Sequence, residues 1–331
     1  MNIAIIGSGL IGAKRLKSFR AKHVLIGAAD VVLERAESLA KLYPGAVATT
    51  DWIALVERPD VDAVVVATTN DALARVSLAA IAAGKHVIVE KPAARTSQEL
   101  AEVAKAAHQS GVIVQVGLNH RYHPALRKAR EIVDSGVLGP LMFVRGRYGH
   151  GGRVGYDREW RANPAQSGGG ELIDQGVHLI DLARWFLGEF TSIEGHALTY
   201  FWDMPVDDNA FLCLRTPQDQ VAWLHVSCTE WKNLFSLEIY GREGKLDIRG
   251  LGGSYGVESI AYYKMLPQMG PPETTTWEFP GEDVSWGLEL ADFETAIATG
   301  RPHGPTLADA AAALNIVESI YKASGYSFGT S

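Results

Sequence analysis

A glycine loop near the N-terminus, Gly7-Ser8-Gly9-Leu10-Ile11-Gly12, constrains the fold more than any other feature of the sequence. It follows the apolar run IAII, which is typical of a strand, and it opens a segment with helical spacing. In such a loop the first glycine permits a tight turn, the second lets a pyrophosphate approach the backbone, and the third lets helix and sheet pack closely. The free N–H groups of the helix then point at the phosphates. We therefore predict that Gly7, Ser8, Gly9, Leu10, Ile11 and Gly12 bind a dinucleotide.

The first 120 residues alternate strand-like and helix-like segments. The strand-like ones, such as VDAVVVAT and HVIVE, are almost wholly apolar, and amphipathic segments such as SQELAEVAKAAHQSG separate them. Apolar strands between amphipathic helices indicate a parallel sheet that is covered on both faces. Because crossovers between parallel strands are right-handed, such a sheet is doubly wound. We therefore predict an α/β fold over residues 1–121, a Rossmann doubly wound parallel sheet.

Asp30, at the end of the second strand-like segment, bears on the choice of cofactor. A carboxylate at this place accepts hydrogen bonds from ribose hydroxyls and repels a 2′-phosphate. Val31 and Val32 offer that phosphate no partner, whereas Arg35 lies within reach. The sequence therefore favours NAD over NADP, with Asp30 and Arg35 among the cofactor residues. The alternative is that Asp30 only caps the helix that follows it.

Polar residues end or follow several of the apolar strands. Thr68, Thr69 and Asn70 follow one strand. Glu90 and Lys91 end the next strand, before a proline that fixes the local turn and whose peptide bond can be cis or trans. Doubly wound sheets bind their ligands beyond the carboxyl ends of the strands. We therefore expect these residues to face the cofactor. An ordinary solvated strand end is the other interpretation of Glu90 and Lys91.

From residue 141 the pattern changes to strand-like segments joined by short turns, with no helix between them. Such a run predicts an open, mostly antiparallel sheet, followed by an extended loop at 265–281 and two helices near 286–299 and 306–323. We assign residues 122–331 to this α+β unit, a substrate-binding and oligomerisation domain. The open face of the sheet favours a homodimer or homotetramer, unless its aromatic residues belong to the core. Those residues are Trp223, Trp231, Phe235 and Tyr240.

The segment SGGGELIDQGVHLIDLARWFLG, residues 167–188, places Asp174 and His178 four positions apart among apolar residues. On the wheel of one continuous α-helix, Asp174, His178, Asp181 and Trp185 fall within an arc of about 60°. Three interpretations of the Asp–His pair stay open. It is a satisfied part of the core. It holds a metal ion with His120 and His123, although no HExxH or cysteine cluster supports this. Or it moves a proton near neutral pH.

Composition narrows the range of partners. The formal net charge of −7 argues against a nucleic acid or an anionic membrane as the main partner. No run of 18 apolar residues is present, so we expect no membrane-spanning helix. The sequence enters its first strand without a basic leader, and its only cysteines, Cys213 and Cys228, lie outside a CxxC spacing. We therefore predict a cytoplasmic protein without a metal site.

Together these motifs resemble the glucose–fructose oxidoreductase / inositol dehydrogenase / MocA family along almost the whole chain. The segments that carry the resemblance are GSGLIG with Asp30, EKPAA, YHPALRKAREIVDSGVLGP, WRANPAQSGGGELIDQGVHLIDLARWFLG and ALNIVESIYKASG. Each segment alone is unspecific, and their combination is highly specific.

The resemblance implies roles for individual residues. Lys91 would lie beside the nicotinamide and the reacting hydroxyl, while Asp174 and His178 would contact the substrate, with His178 as the acid/base. Other residues would surround the nicotinamide or fold over the cofactor: Asn70, Glu90, Asn119, Trp160 and Arg161. Four further residues match positions of substrate contacts less specifically: Arg121, Tyr122, Arg153 and Tyr156.

The activity implied by the resemblance is that of an NAD(P)-dependent dehydrogenase acting on a secondary hydroxyl of a sugar, an inositol-like polyol or a nucleotide sugar. His178 would take the hydroxyl proton, assisted by Lys91 and Asp174. Two alternatives stay open. One is a redox-assisted glycosidase that oxidises its sugar transiently. The other is a regulator that senses the dinucleotide without catalysis, and the presence of Lys91 and His178 counts against it.

Overall fold

The computed structural model describes residues 1–268 and 270–326, and the chain divides into two compact units. The first unit consists of Met1–Leu118, Ala165–Gly168 and Trp286–Leu314. The second consists of Asn119–Pro164, Gly169–Ser285 and the chain from Asn315 onward. The sequence instead predicts one division, after residue 121. Residues 269 and 327–331 of the predicted second domain lie outside the described residues.

The first unit contains a parallel sheet. Its strands are β1 (Asn2–Ile6), β2 (Val24–Ala29), β3 (Val47–Thr49), β4 (Ala63–Val66), β5 (His86–Glu90) and β6 (Val114–Gly117). Their order is β3-β2-β1-β4-β5-β6, and every pairing is parallel. The order reverses between β1 and β4, which is the place where doubly wound sheets bind their ligands. The predicted Rossmann fold is confirmed.

Helices connect these strands and cover both faces of the sheet. They are α1 (Leu10–Lys17), α2 (Leu33–Ala40), α3 (Trp52–Val56), α4 (Asn70–Ala82) and α5 (Ser97–Ser110). β3 and α3 are additions to the sequence prediction. α1 begins inside the glycine loop, at Leu10, and Gly9 is its N-cap residue.

The second unit contains an open sheet that is mostly antiparallel, as predicted. Its strands are β7 (Leu141–Gly149), β8 (Ser192–Leu198), β9 (Asn209–Arg215), β10 (Val221–Ser227), β11 (Leu234–Gly241), β12 (Gly244–Arg249), β13 (Glu258–Lys264) and β14 (Glu273–Phe279). Their order is β14-β13-β12-β11-β7-β10-β9-β8, and only the pairing of β7 with β10 is parallel within the described residues.

β14 corrects one prediction, since it lies inside the segment 265–281 that the sequence predicts to be a loop. It pairs with β13 from Glu258 opposite Phe279 to Lys264 opposite Glu273. The run ETTTWEF is rich in residues that favour strands, and the flanking prolines and glycines obscured it.

The later helices are α6 (Pro124–Asp134), α7 (Pro164–Ser167), α8 (Val177–Leu187), α9 (Ser285–Thr299) and α10 (Leu307–Ala323). α9 and α10 match the two predicted C-terminal helices. None of the helices in the described part of the chain has the length and apolar content that a membrane span requires.

α9 contributes to the core of the first unit. Leu290, Phe293 and Ala296 are buried in one cluster with Ile3 and Ile5 of β1. The apolar face of α9 is thus covered by the parallel sheet, which explains why Trp286–Leu314 groups with the first unit although it follows the open sheet in sequence.

Candidate active site

The glycine loop has the geometry that its sequence predicts. Gly7 has a φ of +94°, and a Cβ there would lie 2.3 Å from the carbonyl oxygen of Ala67, so only glycine fits this turn. A Cβ at Gly9, in contrast, would meet no protein atom within 4 Å. The space above Gly9, at the uncapped N-terminus of α1, is therefore open to a pyrophosphate.

Asp30 is fixed by the backbone beside this loop. Its carboxylate accepts hydrogen bonds from the N–H groups of Ser8, at 2.8 Å, and Val32, at 3.0 Å. The interpretation of Asp30 as a helix cap was wrong, because the N-cap residue of α2 is Val32. Arg35 lies close by, with Nη1 3.9 Å from Oδ1 of Asp30. Each carboxylate oxygen keeps a lone pair for a ribose hydroxyl.

The residues after β4 form the start of α4. The amide nitrogen of Asn70 is buried and donates to the carbonyl oxygen of Ser167 at 2.8 Å. Thr69 donates its hydroxyl to Asp71 at 2.6 Å, and Thr68 donates to the carbonyl oxygen of Thr69 at 3.0 Å. These bonds rigidify the carboxyl end of β4. The predicted contacts of these residues with the cofactor stay predictions.

Glu90, at the end of β5, belongs to a buried ion cluster that the sequence did not reveal. Nε of Arg15 donates to Glu90 at 2.7 Å, and the same guanidinium pairs with Glu289 of α9. Burial opposes the charge of Arg15, but the carboxylates of Glu289 and Glu90 outweigh it and raise its pKa. Glu90 thus lies inside the first unit, and the interpretation as a solvated strand end was wrong for it.

Lys91 follows Glu90 in a sharp turn. The peptide bond between Lys91 and Pro92 is cis, and Ala93, with a φ of +72°, donates its N–H to the carbonyl oxygen of Glu90 at 2.9 Å. The turn places the half-buried Lys91 side chain at the carboxyl edge of the parallel sheet.

In the second unit, Asp174 lies in a π-helical turn, Leu172–Gly176, and α8 begins after it at Val177. The single continuous α-helix predicted from the sequence was wrong here. Oδ2 of Asp174 accepts from Nε of Arg161 at 3.0 Å. This ion pair raises the pKa of Arg161 and fixes the carboxylate. π-Helical turns inside helices are frequent at functional sites.

His178 lies at the start of α8 and is 5% exposed. Its imidazole is stacked on that of His120, with the ring centroids 3.8 Å apart. One turn later, Asp181 forms a two-pronged ion pair with Arg121, at 2.8 and 2.5 Å. Arg121 therefore supports α8, and its predicted substrate contact stays a prediction.

The other predicted site residues of the second unit occupy several places. Tyr156 is buried, and its hydroxyl lies 3.5 Å from Oε2 of Glu171. Arg153 pairs with Glu159 at 2.7 Å, and Trp160 lies under the guanidinium of Arg161, 4.6 Å from ring centroid to Cζ. Two more are buried, Tyr122 and Asn119, and the amide of Asn119 donates to the hydroxyl of Ser285 at 2.8 Å.

Asp207 and Tyr321 hold the polar helix start in place, and no local sequence pattern singles out either residue. The buried carboxylate of Asp207 accepts from the N–H groups of Gly170, at 2.9 Å, and Leu172, at 2.7 Å, and from the hydroxyl of Tyr321, at 2.7 Å. A Cβ at Gly170 would lie 1.9 Å from the carbonyl oxygen of Asp207. Close packing against Asp207 therefore requires glycine at position 170.

Two family models match the chain. Residues 1–118 match an oxidoreductase family with an NAD-binding Rossmann fold, and residues 126–247 match the GFO/IDH/MocA C-terminal domain. Inositol 2-dehydrogenase 2 of Saccharopolyspora erythraea is 30% identical over 340 residues, which cover 96% of this chain and 91% of that protein. The chain belongs to the GFO/IDH/MocA oxidoreductase family.

Other members of the GFO/IDH/MocA family are similar over the same length. Levoglucosan dehydrogenase of Pseudarthrobacter phenanthrenivorans is 25% identical, over 93% of this chain and 92% of that protein. Solved structures of levoglucosan dehydrogenase with NADH and L-sorbose, and with NADH and levoglucosan, are each 26% identical with a TM-score of 0.86 over 97% of both chains. As a member of this family, the chain is a dehydrogenase whose cofactor is NAD.

The metal interpretation finds no support in the part of the chain that this GFO/IDH/MocA structure describes. No group of three or more His, Cys, Asp or Glu side chains there is placed to hold a metal ion. His123 instead pairs with Glu258, with Nδ1 3.0 Å from Oε2, and the other oxygen of that carboxylate accepts from the N–H of Ala125 at 2.6 Å. His123 and Glu258 thus secure the start of α6.

Proposed function

We propose that this chain oxidises a secondary hydroxyl group of a sugar or an inositol-like polyol, with His178 as the proton acceptor. The observation that supports this most is the position of the His178 ring, buried at the start of α8 and stacked on His120, one helical turn after Asp174. A buried imidazole in a segment that bears a fixed carboxylate is suited to proton exchange near neutral pH.

The neighbouring residues have separate roles in this proposal. Asp174, held by Arg161, accepts a hydrogen bond from a second hydroxyl of the substrate and so orients the ring. Lys91 stabilises the negative charge that develops on the reacting oxygen as His178 removes its proton. NAD, held by the glycine loop and Asp30, supplies the two-electron oxidant when bound.

The names of the relatives support the substrate class. They are dehydrogenases of inositol and of levoglucosan, and a structural neighbour has bound L-sorbose together with NADH. Inositols and sugars share adjacent secondary hydroxyl groups on one small carbon frame. An acid/base, a cation and a hydrogen-bonding carboxylate are the groups that oxidation of such a frame requires.

The remaining sequence predictions belong to the same proposal. The further cofactor contacts are Ser8, Leu10, Ile11, Arg35, Thr68, Thr69, Asn70, Glu90, Asn119, Trp160 and Arg161, and the further substrate contacts are Arg121, Tyr122, Arg153 and Tyr156. A homodimer or homotetramer through the open sheet and a cytoplasmic location complete it. Sedimentation of the purified protein tests the assembly, and a monomer at micromolar concentration would contradict it.

A substrate screen tests the function. Polyols, aldoses and nucleotide sugars are incubated with the protein and NAD, and NADH is followed by its absorbance. We expect NADH from at least one polyol or aldose. Release of an aglycone from a glycoside without net NADH would instead indicate the redox-assisted glycosidase. Tight binding of NAD without turnover of any compound would indicate the regulator.

A further inference from the structure

The second unit contains a cavity of about 580 Å³ that has Arg153 in its lining and aromatic walls without an assigned role in the reaction. Phe201, Trp202 and Trp231 line it together with the loop 151–158. The three rings form one cluster, in which Phe201 meets Trp202 and Trp231 edge to face, with centroid distances of 5.1 and 4.8 Å. Small-molecule sites typically have volumes of about 300–1,000 Å³. This cavity, called the aromatic cavity below, therefore has the size of a ligand site.

The rings of the aromatic cavity are unusually accessible for their size. Trp231 is 67% exposed and Phe201 is 56% exposed. Burying large aromatic side chains stabilises a protein, so a cluster of them left open to solvent indicates a binding surface. Trp231 also has a φ of +59°, a left-handed conformation that is unfavourable for a residue other than glycine.

The fold fixes these rings in place. The buried carboxylate of Asp208 accepts from three successive N–H groups, those of Tyr200, Phe201 and Trp202, at 2.9, 2.7 and 3.1 Å. The indole N–H of Trp202 donates to the carbonyl oxygen of Cys228 at 3.1 Å. A ligand of the aromatic cavity would therefore meet a prearranged wall and lose little affinity to the ordering of side chains.

Charged groups at the same cavity are available to a ligand. Asp157 and Arg158 line it, and within residues 1–268 and 270–326 neither forms an ion pair or a side-chain hydrogen bond. A pyranose ring has C–H faces that pack on aromatic rings and hydroxyl groups at its rim that both donate and accept. The aromatic walls with one carboxylate and one guanidinium therefore match a sugar ring better than a purely apolar ligand.

The aromatic cavity lies one side chain away from the segment that bears Asp174. The ring of Tyr156 is 5.6 Å from that of Trp202, and its hydroxyl is 3.5 Å from Oε2 of Glu171. Glu171 comes just before the π-helical turn of Asp174, and Arg161 of the adjoining loop reaches Asp174 itself. Tyr156 thus separates two neighbouring places for a ligand within the second unit.

We propose that the aromatic cavity binds a second sugar ring, and that the natural substrate is a glycoside whose other ring is oxidised. This inference rests on the proposed function for the oxidised ring. The second ring would stack on Trp231 and Phe201 and hydrogen-bond to Asp157 and Arg158. The natural substrate would then be larger than a free monosaccharide or inositol.

Calorimetric titration tests this proposal without depending on turnover. The protein loaded with NADH, which cannot accept a hydride from the added sugar, is titrated with glucose, maltose, cellobiose and melibiose. We expect at least one disaccharide to bind about tenfold more tightly than glucose, and Trp231→Ala to remove that advantage. Trp223→Ala, which changes another exposed tryptophan, on β10 and outside the cavity, is the matched control and should keep it. Phe201→Leu replaces Trp231→Ala if the latter fails to fold.

Three results would overturn the proposal. The unchanged protein binds no disaccharide more tightly than glucose, or Trp231→Ala loses the same affinity for glucose as for disaccharides. The third is a dimer that Trp231→Ala dissociates, because a second copy of the chain would then occupy the cavity. The screen for NADH is read separately. Failure of every polyol and aldose to yield NADH would contradict the proposed function, while the titration would still decide on the cavity.

Discussion

The imidazole rings of His120 and His178 lie 3.8 Å apart between centroids, with 13° between their planes. His120 is enclosed in turn by Tyr148 and His123, whose rings meet it edge to face at 5.1 and 5.6 Å. A ring held by a parallel stack has little freedom to rotate. The stack therefore fixes the direction in which His178 presents its nitrogens, and His120 acts as a positioning residue for the proposed proton acceptor.

Replacing His120 tests this role. We expect His120→Ala to lower kcat about tenfold, because His178 then occupies unproductive orientations, whereas His120→Phe keeps a flat ring and most of the rate. Steady-state kinetics with the substrate found in the screen measure both variants, and the KM for NAD should not change. An equal loss of kcat in the two variants would show that ring stacking by residue 120 does not position His178.

Asp30 is expected to set the preference for NAD. Asp30→Ala removes the acceptor for the ribose hydroxyls and the two backbone bonds that shape the loop, so kcat/KM for NAD should fall about tenfold or more. The repulsion of a 2′-phosphate disappears as well, and NADP should be used relatively better. Glu34→Ala, in the exposed first turn of α2, is the control. An unchanged ratio of kcat/KM for the two cofactors would contradict this role.

The pairing of Arg15 with Glu90 and Glu289 should contribute mainly to stability. Arg15→Met leaves two buried carboxylates without their cation, and breaking such a buried pair typically costs about 3–5 kcal/mol. Urea unfolding of Arg15→Met and of the exposed control Lys17→Met measures the difference. A loss below about 1 kcal/mol would mean that the cluster rearranges or takes up water.

Asp207 should make the folded protein less stable as the pH rises, whereas most carboxylates in folded proteins have the opposite effect. Burial raises its pKa to about 6, although hydrogen bonds from Tyr321 and the backbone oppose the rise. The folded protein then binds this proton more tightly than the unfolded chain, whose pKa is about 3.9, so the contribution of Asp207 to stability falls as pH rises from about 4 to about 6.

The variant Asp207→Asn isolates this effect. It loses an acceptor and is less stable at every pH, but its deficit should shrink by about 2 kcal/mol between pH 4 and pH 7, because only the unchanged protein carries the cost of the buried charge. Unfolding free energies of both proteins across that range give the difference. A constant deficit would show that Asp207 titrates as it does in the unfolded chain.

The sequence predicted features that depend on neighbours in the chain. The glycine loop, Asp30 and the apolar strands each have a local pattern with one structural meaning, so the Rossmann fold could be predicted and the loop geometry agrees with it. The open sheet was predicted in the same way, from strand-like segments joined by short turns. Asp174 and His178 could be selected because two polar residues in an apolar helix need a partner.

The missing features depend on contacts that are distant in sequence. Arg15 pairs with residues 75 and 274 positions away, and Asp207 lies 114 positions from Tyr321. The periodic pattern of apolar and polar residues does not reveal pairs that are so far apart in sequence. The π-helical turn at Leu172–Gly176 adds one residue to a turn whose apolar pattern is unchanged. β14 is an edge strand whose residues are all exposed or half-buried, so both features escape pattern reasoning.

The most direct test of the central claim is the turnover number of His178→Ala on the substrate identified by the screen, measured together with the Kd for NAD. If His178 is the proton acceptor, kcat falls about 10²- to 10⁴-fold while the Kd for NAD stays nearly the same. Lys91→Met, assayed in parallel, should lose activity by the same order. Turnover by His178→Ala at the rate of the unchanged protein would contradict the account.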